Sequence, residues 1–239
     1  LHHDDALLMA DQTFLLKRLI KNCARQFNMN ASFMAKPFSD EAGNGMHVHL
    51  SVVDKDGNNV FTVDKNKQPQ GLFSHAIGGL LKTTPDFLSF YAPHSNSYRR
   101  LVHNGDHAPT TLSWGNENRT ALIRLPEASA EATRLEFRVA SADSNPYLVF
   151  ASVLASVYAG IQGKLQHDKE TIGNAHAQHP PSLGVTWREA VEKTSVSSLV
   201  KDFFGEQFQQ CYTCVKESEI KRFESTITDF EYHSYLRSL

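Results

Sequence analysis

Trp114 to Arg138 reads WGNENRTALIRLPEASAEATRLEFR and places Arg119, Arg124, Arg134, Glu136 and Arg138 on two short strand-like runs. In the second run Arg134, Glu136 and Arg138 alternate with Leu135, Phe137 and Val139. A strand of period two therefore puts the three charges on one face and the apolar side chains on the other. A guanidinium is a rigid fork that grips carboxylate or phosphate oxygens in pairs, so several converging on one place imply a polyanionic ligand. A carboxylate set between two of them adds a place for a cation. Taken alone, the same run also reads as a solvated strand face of paired Arg and Glu. Arg119 and Arg124 stand an odd number of residues apart and cannot share a face of one regular strand, so one of them must sit at the strand's end.

Working outward, Gly45-Met46-His47-Val48-His49-Leu50-Ser51 is a second alternating run. It puts His47, His49 and Ser51 on one face and Met46, Val48 and Leu50 on the other. A neutral imidazole can ligate a metal through one nitrogen and donate through the other. The Gly-Asn-Gly before it lets backbone amides approach a ligand closely. The bland reading of this strand is a polar sheet surface. His94 to Pro109 is loop-like, with Arg99 and Arg100 in it, and long ordered loops that carry arginine often cover sites.

The rest of the chain reads as scaffold. Asp5 to Arg25 has helical spacing, Ala31 to Ala35 reads as a short strand, and Asp54 to Asn59 (DKDGNN) is a hairpin turn. Leu72 to Thr83 reads as a helix ended by Thr84-Pro85, with a second segment from Phe87 to Tyr91. Asn145-Pro146 supplies an N-cap and a first-turn proline to a mostly apolar, core helix running to Ile161. His167 to Gly184 reads as surface loop, and helices follow over 186–193, 196–204 and 206–239.

Composition narrows the function. A net charge of −2 over 239 residues leaves no global field for nucleic acid or an anionic membrane, so any cationic site is local. The longest apolar stretch, Tyr147 to Ile161, is too short for a membrane span. Cys23, Cys211 and Cys214 are too few for a disulfide framework, and Cys211-x-x-Cys214 in a helical pattern predicts two half-buried thiols in a reducing, cytoplasmic setting. The opening Leu1-His2-His3-Asp4-Asp5 has no initiator methionine and reads as the start of a fragment.

Five ordered motifs, Gly45–His49 (GMHVH), Asn96–Leu101 (NSYRRL), Asn118–Pro126 (NRTALIRLP), Arg134–Arg138 (RLEFR) and Asn145–Leu148 (NPYL), make the chain resemble the catalytic domain of the glutamine synthetase family. Phe33–Phe38 (FMAKPF) and Ser113-Trp114-Gly115 look closest to its γ-glutamylpolyamine (γ-glutamylputrescine) synthetase branch. The resemblance implies an α+β fold, a curved, largely antiparallel sheet with helices packed on its convex side. It implies ATP-dependent activation of the glutamate side-chain carboxylate as γ-glutamyl phosphate, then coupling to an amine, with Mg2+ or Mn2+.

By the same resemblance His47 and Glu136 are metal ligands, and His49, Ser51 and Arg134 contact the nucleotide. Arg119 and Arg124 hold phosphate oxygens as the catalytic pair, and Gly43, Arg100 and Arg138 hold the substrate glutamate. Residues 1–239 would be the C-terminal catalytic part of a longer chain, lacking an N-terminal domain, the first catalytic strands and most metal carboxylates. The full-length protein would be a homo-oligomeric ring with sites between subunits, and the fragment alone would be inactive.

Two departures bear on the substrate. Ala42 stands where glutamine synthetases carry asparagine before the glycine of the substrate loop. The loop His103–Pro109 is longer than usual and lacks the glutamate that closes the ammonia site. The first removes a donor or acceptor near the amino acid; the second favours an organic amine, although Asp106 could substitute for that glutamate. Ammonia ligation and a catalytically silent, ligand-sensing scaffold are the alternatives.

Overall fold

The computed structural model describes residues 1–101, 108–183 and 185–237. In those residues nine helices, α1 (Ala6–Gln26), α2 (Gly71–Tyr91), α3 (Ser95–Arg100), α4 (Pro146–Gln162), α5 (Ala175–Gln178), α6 (Trp187–Val196), α7 (Ser198–Phe204), α8 (Glu206–Glu224) and α9 (Asp229–Tyr235), accompany six short strands. The strands are β1 (Val48–Leu50), β2 (Thr62–Val63), β3 (Pro69–Gln70), β4 (Trp114–Asn116), β5 (Ile123–Leu125) and β6 (Leu135–Phe137). The fold is α+β. Its main sheet is open, in the order β1-β6-β5-β4, and β2 pairs with β3 beside it.

Register sorts the main sheet into rows. Val48 pairs with Phe137, Phe137 with Ile123, and Ile123 with Trp114, so one cross-strand row is apolar throughout. The next row runs His49, Glu136, Arg124, Gly115. Residues directly opposite in a ladder point to the same face, so the two rows give the sheet a core side and a polar side. Two of its pairings are antiparallel and β4–β5 is parallel. Parallel neighbours ordinarily need a long crossover. Here the strands are so short that the chain must retreat only about 7 Å, at roughly 3.3 Å per residue, and residues 117–122 suffice.

The core lies behind the apolar row. Phe137 meets Tyr91 of α2 edge to face at 5.0 Å. Helix α2 packs on α4 where two glycines meet: a Cβ on Gly79 would lie 2.2 Å from the Ser156 carbonyl oxygen, and one on Gly160 2.2 Å from that of His75. One turn along, Thr83 Oγ1 donates to Ser156 Oγ at 2.7 Å. The predicted cap is present, with Asn145 accepting from the Tyr147 and Leu148 amides above Pro146.

Several local expectations are revised. Helix α2 does not stop at Thr84-Pro85 but runs to Tyr91 with Pro85 inside it. An interior proline costs about 3 kcal/mol, and burying Phe87, Leu88 and Phe90, each at most 2% exposed, returns roughly 1.5–3 kcal/mol apiece. Thr84 Oγ1 donates back to the Leu80 carbonyl at 2.6 Å, taking up one carbonyl of that turn. Ala31 to Ala35 is irregular, not a strand. Residues 95–100, read as loop, form α3. Cys211 and Cys214 are exposed and free rather than half buried. No helix among the described residues is long and apolar enough to cross a membrane.

Candidate active site

Glu136 is the hub of the polar face. It is 3% exposed, yet both oxygens are engaged: Oε1 accepts from His47 Nδ1 and Arg138 Nη1, each at 2.8 Å, and Oε2 from Arg124 Nη1 at 2.8 Å. Burial alone would raise its pKa, but the hydrogen bond from His47, the charge of Arg138 and the hydrogen bond from Arg124 outweigh it and hold the group at about 2. The RLEFR strand is thus no solvated face of paired charges. It is a desolvated carboxylate held by two guanidinium groups and an imidazole.

The two predicted metal ligands touch. An octahedral cation with bonds of about 2.1 Å sets neighbouring ligand atoms about 3.0 Å apart, close to the 2.8 Å between His47 Nδ1 and Glu136 Oε1. Both residues fit as two ligands of one divalent ion. Among the described residues no group of three or more His, Cys, Asp or Glu gathers to complete such a set.

His49 sits beside Glu136 in the sheet and accepts from Arg134 Nε through Nδ1 at 3.3 Å. Burial first, then the Arg134 charge, lowers its pKa against the opposing pull of Glu136, which favours a neutral ring. Ser51 follows β1 and is exposed. Arg134 also donates to the Ala132 carbonyl at 3.2 Å.

Arg119 and Arg124 divide as their spacing requires. Arg124 lies in β5, and Arg119 is exposed in the turn before it, its carbonyl accepting from Arg138 Nη2 at 2.9 Å. Arg100, the last residue of α3, is 6% exposed. It donates to the Val139 carbonyl at 2.8 Å and the Arg138 carbonyl at 3.1 Å. Burial, then the neighbouring Arg138 charge, pulls its pKa down to about 10. The glycine loop lies directly on it: a Cβ on Gly43 would come within 2.8 Å of Arg100 Cγ, and one on Gly45 within 2.6 Å of Nη2. Gly43, Arg100 and Arg138 therefore form one contiguous unit next to Glu136.

One residue of this network carries no signal in the alternation pattern. Glu117, in the turn after β4, accepts from Arg124 Nη2 at 2.7 Å and from the Glu127 amide. Only the parallel placement of β4 beside β5 brings it there. Residues 103–107 of the loop read as bearing on the amine lie outside the described residues.

A family model described as "Glutamine synthetase, catalytic domain" matches residues 1–235. The gamma-glutamylputrescine synthetase of Escherichia coli (strain K12) is 34% identical over 237 residues, covering 99% of this chain and 50% of the relative. The gamma-glutamylethanolamide synthetase of Streptomyces coelicolor is 34% identical over 229 residues, 96% of this chain and 48% of the relative. The glutamine synthetase of Clostridium saccharobutylicum is 35% identical over 243 residues, 98% of this chain and 54% of the relative. The solved structure of apo GmaS superposes with a TM-score of 0.85 at 27% identity, covering 98% of this chain and 54% of that one. The chain thus spans about half the length of the curated relatives it matches.

Proposed function

The chain belongs to the glutamine synthetase family, and from that premise we propose that the whole protein is an ATP-dependent ligase that couples glutamate to an organic amine. The observation that carries the reading is the engagement of Glu136 by His47, Arg124 and Arg138 at 2.8 Å each. A catalytically silent scaffold has no physical need to desolvate so many charges in one place.

In this reading one γ-carboxylate oxygen of glutamate attacks the γ-phosphorus of ATP, the bond to the β-phosphate oxygen breaks, and ADP leaves. The amine nitrogen then attacks the acyl carbon, gives up a proton, and inorganic phosphate departs. Such transfers run on position and charge neutralisation. Arg124 and Arg119 would meet phosphoryl oxygens, and Arg134, His49 and Ser51 would contact the nucleotide. A neutral His49 can accept or donate there without adding charge. Arg138 and Arg100, with Gly43 and its loop, orient the glutamate carboxylates. His47 and Glu136 would hold two positions on Mg2+ or Mn2+. The ion's part, when bound, is to draw charge from the phosphoryl oxygens. The remaining ligands and the neighbouring-subunit contribution belong to the whole protein, taken here as a homo-oligomeric ring.

Two amine-ligase relatives favour an organic amine. The 35% identity to a glutamine synthetase keeps ammonia as the second reading. The test is phosphate release by the full-length protein with ATP, glutamate and, in turn, ammonia, putrescine, ethanolamine and small monoamines. Amine-dependent release supports the proposal, and exclusive use of ammonia replaces it with glutamine synthesis.

A further inference from the structure

We propose that Glu117 is a positioning residue that aims Arg124 at the phosphoryl group, a role that rests on the ligase reading above. Three observations on one residue carry it. Its backbone adopts φ +50°, a left-handed conformation that non-glycine residues seldom take and that persists where the surroundings enforce it. Its amide donates to the Leu125 carbonyl at 3.0 Å, fastening the turn to the end of β5. Its carboxylate then reaches two targets, Arg124 Nη2 at 2.7 Å through Oε2 and the Glu127 amide through Oε1.

Arg124 is consequently held at both ends of its fork. Nη1 is fixed from inside by Glu136 and Nη2 from outside by Glu117, and Arg124 Nε is buried with no partner among the described residues. A guanidinium tied at one end can swing about its remaining bonds, but one tied at two is fixed in plane and direction. Each terminal nitrogen keeps one N–H for a ligand. Donors fixed before the reaction need no reorganisation as charge develops. Glu117 itself is half exposed, at the rim, where it can hold Arg124 without facing the buried glutamate-binding residues.

The same contact admits an opposite role, a carboxylate that occupies Arg124 and must be displaced by phosphate. The anchoring of Glu117 at its amide and at Oε1 argues for the clamp, and the two roles differ in sign. The test uses the full-length enzyme and its Glu117→Gln variant, with Glu117→Gly as a second variant that relaxes the strained turn while removing the carboxylate. The clamp predicts that kcat falls about tenfold or more in both, the scale of losing one hydrogen bond to a charged group, while KM for glutamate stays within about twofold. It also predicts that crystals of either variant show Arg124 turned away from its present direction. Unchanged kcat, tighter ATP binding, or an unmoved Arg124 overturns the proposal. A wild-type enzyme without glutamate-dependent phosphate release would overturn the ligase reading instead, and the Arg124 direction in the variants would still decide this one.

Discussion

Arg124 faces Glu136 twice over, as its cross-strand partner in the β5–β6 ladder and as its ion-pair partner at 2.8 Å. The first relationship is backbone register and the second is side-chain chemistry, and each stabilises the other. A slip of one residue in that register would turn Arg124 to the core side and Ile123 to the polar side. Neither could stay there, so the apolar row that includes Phe137 and Trp114 protects the geometry of the charges next to it.

Removing the Glu136 charge should unfold the protein more readily as well as inactivate it. Glu136→Gln takes away the carboxylate that Arg138, 4% exposed, pairs with at 2.8 Å, and breaking one partner of a buried pair typically costs about 3–5 kcal/mol. Denaturant unfolding of the variant should show that loss. A stability within about 1 kcal/mol of wild type would mean that the ion cluster is not structurally coupled.

The same group sets an acid limit. Its carboxyl titrates at about 2 in the fold against an ordinary 4.5, so the folded pKa is depressed. The stabilisation is therefore complete above pH 4.5 and is lost as pH falls through the window down to about 2. At roughly 1.4 kcal/mol per pH unit it amounts to about 3 kcal/mol. Unfolding measured between pH 6 and pH 2.5 should show this decline in wild type, and a flatter profile in Glu136→Gln.

The contact between α2 and α4 leaves no room for a side chain. Gly79→Ala would drive a methyl to 2.2 Å from a backbone oxygen, which the helices can relieve only by moving apart. Overpacking of this kind costs about 1–3 kcal/mol or more, read as a lowered melting temperature. Gly57→Ala is a poor control because of its positive φ, so Ser195→Ala, at a partly buried position of α6, is the better comparison.

Much of this was legible in the chain. Asn145 marks the start of α4 because a short polar side chain before an apolar period has one good use, accepting from free amides. RLEFR showed its sidedness because strand alternation is purely local. What was not legible depends on partners distant in sequence. Pro85 reads as a stop until the burial of Phe87 and Phe90 is known, and Glu117 reads as a surface charge until β4 is seen lying parallel to β5. The burial of Arg100 under Gly43 and Gly45 is likewise set by the loop that crosses it, not by its neighbours in α3.

The residues 1–239 by themselves should bind poorly and turn over nothing. Among the described residues only His47 and Glu136 come together as candidate ligands for a divalent ion, and a site with so few protein ligands leans on substrate phosphates and water to hold it. ATP-dependent glutamyl transfer by the isolated chain would show that the set is complete without further sequence.

The most direct test of the central claim is phosphate release by the full-length protein from ATP with Mg2+, measured with and without glutamate and an amine. The account predicts release that requires glutamate, rises with an organic amine, and is abolished in Glu136→Gln and in Arg124→Ala. Release that ignores glutamate, or survives both substitutions, would contradict it.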